Sequence, residues 1–191
     1  MLPSLFQQSM SSPYLVADST AAVIRLKHPA QRIVCLSASG LDALLELGLE
    51  PVGSLSGGGV MAPEFYGSRS QHWVKVGSWL LPSFRTIRQL QPDLILGWQF
   101  PHRLYRGTLA SIAPTYLMGG SGYEEAILRL MDIAYLTQRI PEAEAAITHL
   151  DQVLTDYHQC LQREPQKTVL IMGGTRLSRW SDRYPVEAVT G

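Results

Sequence analysis

The chain has 191 residues, a length that accommodates one domain, or one domain and part of a second. Hydrophobic residues make up 46% of the chain and charged residues 17%, a balance that supplies a sizeable core and excludes an intrinsically disordered chain. The formal net charge is zero, which argues against non-specific nucleic-acid binding because that activity needs a basic surface.

The N-terminal segment, residues 1–22, is expected to be an irregular leader. Residues 1–20 contain no Lys or Arg and no sustained apolar core, so they do not form a secretory signal. A protein that acts outside the cytoplasm would then carry its signal upstream of this start, or would have lost it.

The first strong elements are a strand and the helix that follows it. Val23–Leu26 predicts a short edge strand, and the continuous apolar run Ile33–Ser37 predicts a strand buried on both faces. Ser39 is the expected N-cap of the following helix, with Asp42 as the acidic partner of a capping box. Gly48 is expected to end this helix in a left-handed conformation.

Strands and helices continue to alternate as far as residue 118. In chain order the pattern predicts a strand beginning at Pro51–Gly53, a Gly-rich loop over Ser56–Ser70, a helix over Ser83–Gln91 that ends before Pro92, a strand over Asp93–Gly97, a helix over His102–Ile112 and a strand over Pro114–Met118. Leu104, Leu109 and Ile112 are the residues of the last helix that we expect to point inward. This order predicts an α/β fold, with a Rossmann-like parallel sheet and helices on both faces.

The second half of the chain is mainly helical. Tyr123–Thr137 predicts one helix, and Pro141–Arg163 predicts a longer one of about 34 Å, more than one small lobe needs. A further buried strand is expected at Thr168–Met172. The plan is therefore a complete α/β lobe over 23–140, a long helix over 141–164, and the start of another unit over 165–191.

Four stretches of the chain resemble the helical-hinge class of periplasmic binding proteins, which includes siderophore- and cobalamin-binding components of ABC importers. They are residues 31–53, residues 76–78 with 87–96, residues 109–115, and the long helix after Pro141 with its following strand. Their order and spacing, rather than any single stretch, carry the resemblance, which covers about residues 23–175.

The resemblance implies two α/β lobes joined by one interlobe helix, with the ligand held in the cleft between them. It also implies a binding protein rather than an enzyme, located in the periplasm or tethered outside the membrane, that docks on an ABC permease. The ligand expected is a ferric siderophore or similar metal chelate, with no cofactor. The alternatives are cobalamin or haem, or an orphan α/β lobe that serves as an interaction module.

Two departures from the family pattern accompany this resemblance. We expect the chain to contain only the first strand of the second lobe, so that most of that lobe would be missing from it. Ser83 and Arg85 stand where family members often carry Asn and Glu, and that Glu pairs with an arginine of the permease. The reversed charge at Arg85 leaves the mode of permease docking open.

Candidate ligand-binding residues follow the strands, because ligands of open α/β sheets sit beyond the carboxyl ends of the strands. In chain order they are Ser39, Ser78, Trp79, Trp98, Gln99, Phe100, Arg103, Tyr105, Arg106, Arg176, Arg179 and Trp180. Arg side chains and aromatic faces suit a large, often anionic chelate with a part-apolar surface. We expect His102 to lie on the surface rather than to contact a ligand. Arg103 and Arg106 share one helix face, whereas Tyr105 points elsewhere.

Signatures of other functions are weak or missing from the sequence. There is no GxxxxGK[ST] loop and no GxSxG elbow, and the histidines show no metal-binding spacing. Gly57–Ala62 fits a GxGxxA pattern, but Pro63 opposes the helix that a dinucleotide site requires. We therefore expect no catalytic residue and no metal site, with a doubly wound enzyme domain as a third alternative. Cys35 and Cys160 are not expected to pair.

Overall fold

The central feature of the fold is a five-stranded parallel sheet, seen in a computed structural model that describes residues 14–56 and 66–161. Its strands are β3 (Ile33–Cys35), β4 (Gly53–Ser54), β5 (Val74–Lys75), β6 (Leu94–Trp98) and β7 (Thr115–Met118), in the spatial order β5-β4-β3-β6-β7. The central strand β3 is buried at every residue, as its continuous apolar run predicts. The α/β fold class expected from the sequence is confirmed.

An antiparallel hairpin precedes the sheet, in a segment that the sequence predicts to be irregular. β1 (Tyr14–Ala17) pairs with β2 (Val23–Leu26), so the expected strand over Val23–Leu26 is confirmed. The prediction of an irregular leader is wrong from residue 14 onward. The turn between them is closed by the side chain of Asp18, whose Oδ1 accepts hydrogen bonds from the backbone of Thr20 and Ala22. A strand as short as β1 shows too few alternations to be recognised from its sequence.

Helix α1 (Ala38–Glu46) begins two residues earlier than the sequence predicts. Its N-cap is Ser37, whose hydroxyl accepts from the amide of Gly40 at 3.1 Å, so the assignment of Ser39 as N-cap is wrong. β3 ends at Cys35, and Ser37 is the last residue with extended backbone before the helix. Asp42 does not complete a capping box but accepts a hydrogen bond from the hydroxyl of Tyr66. Gly48 has the predicted left-handed conformation, with φ of 69°.

The middle of the chain follows the predicted order, with one helix divided into three. A 3₁₀ helix (Gly67–Gln71) precedes β5, and α2 (Phe84–Gln89) is capped by Ser83. The segment predicted as one helix over His102–Ile112 consists of α3 (Gln99–His102), a 3₁₀ turn (Arg103–Tyr105) and α4 (Arg106–Ala110).

The 3₁₀ turn changes which residues of this segment face the core. Residues advance about 120° in a 3₁₀ helix instead of about 100°, so the predicted periodicity is lost there. Leu109 is fully buried, as expected, and Ile112 is half-buried. Leu104 is 71% exposed, so the expectation that it points inward is wrong.

The described part of the chain ends in two long helices. α5 (Tyr123–Thr137) has the predicted bounds, and Gln138 closes it with φ of 57°. α6 (Ile140–Leu161) is the described portion of the predicted long helix. Residues 1–150 and 151–191 form two compact units, and the described part of the second, 151–161, is helical. The expected strand Thr168–Met172 lies outside the described residues, and the lobe boundaries predicted from the sequence stay predictions.

Candidate functional site

The candidate site lies at the edge of the sheet where the parallel strands end. Because β3, β5, β6 and β7 run in the same direction, the segments that follow them meet at one edge. These segments carry Ser39, Ser78 with Trp79, Trp98 to Phe100, and Gly119. The topology brings the three loops expected from the sequence, after β3, β5 and β6, to one edge and adds the loop after β7. The contacts among their side chains come only from the structure.

Trp79 and Phe100 form an exposed aromatic pair at this edge, named here the aromatic rim. Their ring centroids are 6.2 Å apart in an edge-on arrangement, and 45% of Trp79 and 59% of Phe100 is exposed. The two residues follow different strands and contact each other through their rings. Leu80 and Leu81 are also more than half exposed, so this turn presents an apolar surface.

The turn that carries Trp79 is closed by its own hydrogen bonds. The amide of Ser78 donates to the carbonyl of Leu81, and the amide of Leu81 donates to the hydroxyl of Ser78, each at 3.1 Å. Gly77 has φ of 97°, and a Cβ there would lie 2.6 Å from the carbonyl oxygen of Leu81. Ser78, a predicted ligand residue, therefore has its hydroxyl engaged in shaping this turn.

His102 is completely buried, so the expectation that it lies on the surface is wrong. Its Nδ1 accepts a hydrogen bond from the amide of Trp98 at 2.9 Å, and its Nε2 is 3.0 Å from the carbonyl oxygen of Trp79. Burial lowers the pKa of His102 from its ordinary value of 6.5, which favours the neutral ring. The misplacement arises because the helical segment starts at Gln99, which turns His102 toward the sheet.

Arg106 is engaged by a buried carboxylate rather than free at the site. Its Nη2 donates to Oδ2 of Asp18, whose side chain is fully buried, and to the hydroxyl of Thr20 at 2.9 Å. The amide of Leu117 also donates to Asp18. Burial acts to raise the pKa of Asp18, but the hydrogen bonds from Thr20, Arg106 and Leu117 outweigh it and lower that pKa from 3.8. Sequence reasoning missed Asp18, although the run Asp-Ser-Thr is a typical turn signal.

The other candidate residues at the end of β6 and in the segment after it differ in their exposure and contacts. Arg103 is exposed and, within 14–56 and 66–161, makes no ion pair. Tyr105 is half-buried, with its ring edge-on to Phe84 at a centroid distance of 5.6 Å. Trp98 is half-buried against the core. Gln99 lies against the end of β7, because a Cβ on Gly119 would approach its Oε1 to 2.8 Å.

Several predicted residues stand apart from these contacts. Ser39 is exposed beside the helix cap. Arg176, Arg179, Trp180 and the segment 57–62 lie outside the described residues. Among the described residues no group of three His, Cys, Asp or Glu side chains is placed to hold a metal ion. Within the same residues no helix is both long enough and apolar enough to cross a bilayer.

A second polar cluster, which sequence reasoning did not identify, joins β7 to α5. The buried Tyr116 donates its hydroxyl proton to Asp132, and Arg129 contacts the Tyr116 oxygen at 3.0 Å and Asp132 at 3.1 Å. Arg129 also donates to Glu125 at 2.9 Å. Arg129 thus contacts both carboxylates, although its buried Nε has no hydrogen-bond partner among the described residues. The position of these contacts between β7 and α5 indicates a structural role.

Comparison with known proteins gives a family match for most of the chain. Residues 33–181 match the model of a family described as periplasmic binding protein. Over 153 residues the chain is 28% identical to the putative ABC transporter substrate-binding lipoprotein YhfQ of Bacillus subtilis, an alignment that covers 78% of this chain and 47% of that protein. Over 144 residues it is 28% identical to the Fe(3+)-citrate-binding protein YfmC of the same organism, covering 74% and 45%. The chain thus spans about half the length of the curated relatives it matches.

Solved structures show the same fold at lower sequence identity. The iron uptake ABC transporter substrate-binding protein PiuA of Streptococcus pneumoniae superposes with a TM-score of 0.69 at 20% identity, over 80% of this chain and 55% of that one. Staphylococcus aureus SirA, solved with staphyloferrin B, gives 0.68 at 19% identity, over 78% and 50%. At such identities the likeness establishes a shared architecture.

Proposed function

Because this chain belongs to the periplasmic binding protein family, we propose that it forms the first lobe of a protein that captures a ferric siderophore for an ABC importer. The proposal places the protein in the periplasm, or tethered to the outer face of the membrane, and assigns it no catalytic step. Its relatives support this, since they include an Fe(3+)-citrate-binding protein and a probable siderophore-binding lipoprotein.

The observation that carries the proposal is the aromatic rim at the carboxyl edge of the sheet. Trp79 and Phe100 expose 45% and 59% of their surface, and the exposed Arg103 follows in the next turn. A large chelate with a part-apolar surface can stack on such rings, while an anionic group on it can accept hydrogen bonds from the guanidinium. Contiguous exposed apolar side chains are uncommon on soluble proteins and mark ligand-binding or interaction surfaces.

The proposal gives this chain one wall of a two-lobed site. The curated relatives are about twice as long, so the opposite wall would come from a second lobe, to which we assign Arg176, Arg179 and Trp180. An isolated lobe lacks the contacts from that wall and buries less of the ligand. We therefore expect the 191-residue chain to bind weakly, and a chain extended by the second lobe to bind more tightly.

Delivery to a permease is the last part of the proposal. Arg85 is exposed in the first turn of α2, where the family often carries a glutamate. A permease arginine that pairs with such a glutamate would repel Arg85. The permease that receives this protein would therefore present a different partner at that position.

A tryptophan-fluorescence titration tests the proposal with the 191-residue chain. The probes are ferric hydroxamate, ferric catecholate and ferric citrate complexes, with haemin and cobalamin as the alternative ligands and inner-filter controls throughout. We expect weak, saturable quenching by one ferric class, because Trp79 lies at the proposed contact surface.

A matched pair of arginine variants separates site binding from general charge effects. Arg103→Ala should weaken the binding, whereas Arg25→Ala, at an exposed residue of β2, should leave it unchanged. Saturation by haemin or cobalamin alone would replace the siderophore with one of those ligands. Flat curves for every probe, in a chain shown to be folded, would contradict ligand binding by this lobe.

A further inference from the structure

We infer that His102 is a positioning residue that fixes Trp79 next to the strand end from which Phe100 extends. His102 thereby fixes the position of Trp79 relative to Phe100 in the aromatic rim. The consequence for ligand affinity rests on the proposed function, whereas the positioning itself is a property of the unliganded protein.

The hydrogen bonds of His102 assign its tautomer. The amide of Trp98 can only donate, so Nδ1 of His102 must be the unprotonated, accepting nitrogen at 2.9 Å. The carbonyl of Trp79 can only accept, so Nε2 must carry the proton that it donates across 3.0 Å. A neutral ring protonated at Nε2 satisfies both partners, and burial favours the neutral form.

The two hydrogen bonds connect segments that come from different strands. Trp98 ends β6, whereas Trp79 lies in the turn after β5, and these residues are anchored to the same imidazole. The other hydrogen bonds that the structure describes for the Trp79 turn stay inside it, run to its own stem, as from Ser83 to Val76, or join it to the segment after β4, as from Ser56 to Gly77. None of these reaches the segment that carries Phe100. His102 therefore supplies the polar link between the turn and the segment that carries Phe100.

The sheet leaves a space beside β6 into which the imidazole ring packs. A Cβ on Gly97 would lie 3.3 Å from both Cβ and Nδ1 of His102, and 2.9 Å from Cδ2 of Leu117. Glycine at this position of β6 therefore leaves the space in which the imidazole packs. Because the ring is fully buried and both nitrogens are engaged, His102 acts through Trp79 rather than by touching a ligand.

Two substitutions at His102 each preserve one of its two hydrogen bonds and remove the other. In His102→Asn the amide oxygen can replace Nδ1 as acceptor for Trp98, but the shorter side chain does not reach Trp79. In His102→Gln the amide nitrogen can replace Nε2 as donor to Trp79, and the link to Trp98 is lost instead. The pair distinguishes the restraint on Trp79 from a general effect of removing the imidazole.

Fluorine NMR of the chain labelled with 5-fluorotryptophan measures the restraint without a ligand. The chain has 4 tryptophans, and the Trp79 signal is assigned by its loss in Trp79→Phe. We expect the Trp79 signal to shift and broaden in His102→Asn and to return close to its wild-type position in His102→Gln. The signal of Trp73, whose indole donates to Glu50, should stay constant in both.

Nitrogen-15 NMR of labelled histidine then checks the tautomer, with an unprotonated Nδ1 expected at neutral pH. A Trp79 signal that is the same in all three proteins, or one that moves together with Trp73, would overturn the inference. A proton on Nδ1 would overturn it as well, because Trp98 would then have no acceptor.

Ligand titrations with ferric tris-catecholate and tris-hydroxamate complexes measure the consequence. His102→Asn should weaken binding about as much as Trp79→Phe, by about fivefold, and the double variant should lose little more than either alone. Fully additive losses would contradict a role through Trp79. If the wild-type chain binds neither of these complexes nor ferric citrate, the proposed function fails, while the fluorine spectra still decide whether His102 holds Trp79.

Discussion

The guanidinium of Arg106 donates to the buried carboxylate of Asp18, and this contact joins α4 to the turn of the N-terminal hairpin. Asp18 also accepts from the amide of Leu117, so the same carboxylate ties the hairpin to the last strand of the sheet. Ser19 adds hydrogen bonds from its amide and hydroxyl to the carbonyl of Leu117. The hairpin is therefore a fixed part of this lobe, and Arg106 acts in holding it there.

Arg106→Ala should destabilise the lobe by about 1–3 kcal/mol, since it leaves a buried carboxylate without its charged donor. Arg103→Ala should change stability by less than about 0.5 kcal/mol, because Arg103 is exposed and makes no described ion pair. Urea unfolding followed by circular dichroism measures both. Unchanged stability in Arg106→Ala, combined with loss of ferric-complex binding, would assign Arg106 to the ligand instead.

The same ion pair predicts a stability loss in strong acid. The pKa of Asp18 is lower in the folded chain than its ordinary value of 3.8, so the folded state binds the proton less readily. Its stabilising effect is complete above the unfolded pKa and is lost as pH falls through the folded pKa. Wild type and Asp18→Asn should therefore differ most above pH 3.8 and converge as the pH falls further below it. Curves that stay parallel over that range would show that folding does not lower the pKa of Asp18.

The sheet could be predicted from the sequence because its strands are short, continuous apolar runs. Val34, Ile95 and Leu96 lie in such runs and are fully buried, which is what a parallel sheet covered on both faces requires. The helix start at Ser37 could not be predicted as firmly. Two serines two residues apart can each serve as an N-cap, and the end of β3 decides between them.

The sequence predicts which loops of the candidate site are neighbours, but not the contacts that their side chains make. The rule that ligands lie beyond the strand ends selects the loops of Trp79 and Phe100 correctly as neighbours. The burial of His102 and the ion pair of Arg106 cannot be predicted from the sequence, because their partners are distant in the chain, Trp79 by 23 positions and Asp18 by 88. No local periodicity encodes such pairs, so exposure and charge balance at these positions follow only from the folded structure.

The two cysteines should react at very different rates. Cys35 is buried, and burial raises the pKa of its thiol to about 12, whereas Cys160 is exposed on α6. Since the thiolate is the reactive species, an aromatic disulfide reagent should label one thiol rapidly in the folded chain and both after denaturation. Cys160→Ser should abolish the rapid phase. Fast labelling of Cys35 in that variant would show that the core around β3 opens readily.

Gly40 should not tolerate a side chain, although it lies in a helix. A Cβ there would lie 2.7 Å from Sγ of Cys35, 2.8 Å from Cε of Met118 and 2.9 Å from Oγ of Ser37. Gly40→Ala should therefore cost about 1–3 kcal/mol through overpacking. Gly107→Ala on α4 is the matched control, because a Cβ at that position would meet no described atom within 4 Å and alanine favours helix.

That control should be neutral or stabilising by up to about 1 kcal/mol, as measured by thermal and urea unfolding. A stable Gly40→Ala would mean that Met118 and Cys35 can move aside, and that packing between α1 and β7 is looser than these distances indicate.

The burial of His102 predicts a second pH dependence, at milder acidity. Its pKa is lower in the folded chain than the ordinary value of 6.5, so the unfolded chain binds a proton more readily. The stabilising effect of the neutral ring is therefore complete above the unfolded pKa, and it declines as pH falls from there toward the folded pKa. Wild-type stability should fall as the pH drops below 6.5, and His102→Asn, which has no titrating ring at this position, should have a flatter profile. Urea unfolding at half-unit pH steps measures the difference between the two curves. Equal slopes would show that folding leaves the pKa of His102 unchanged, which would contradict a buried, neutral ring that bridges Trp98 and Trp79.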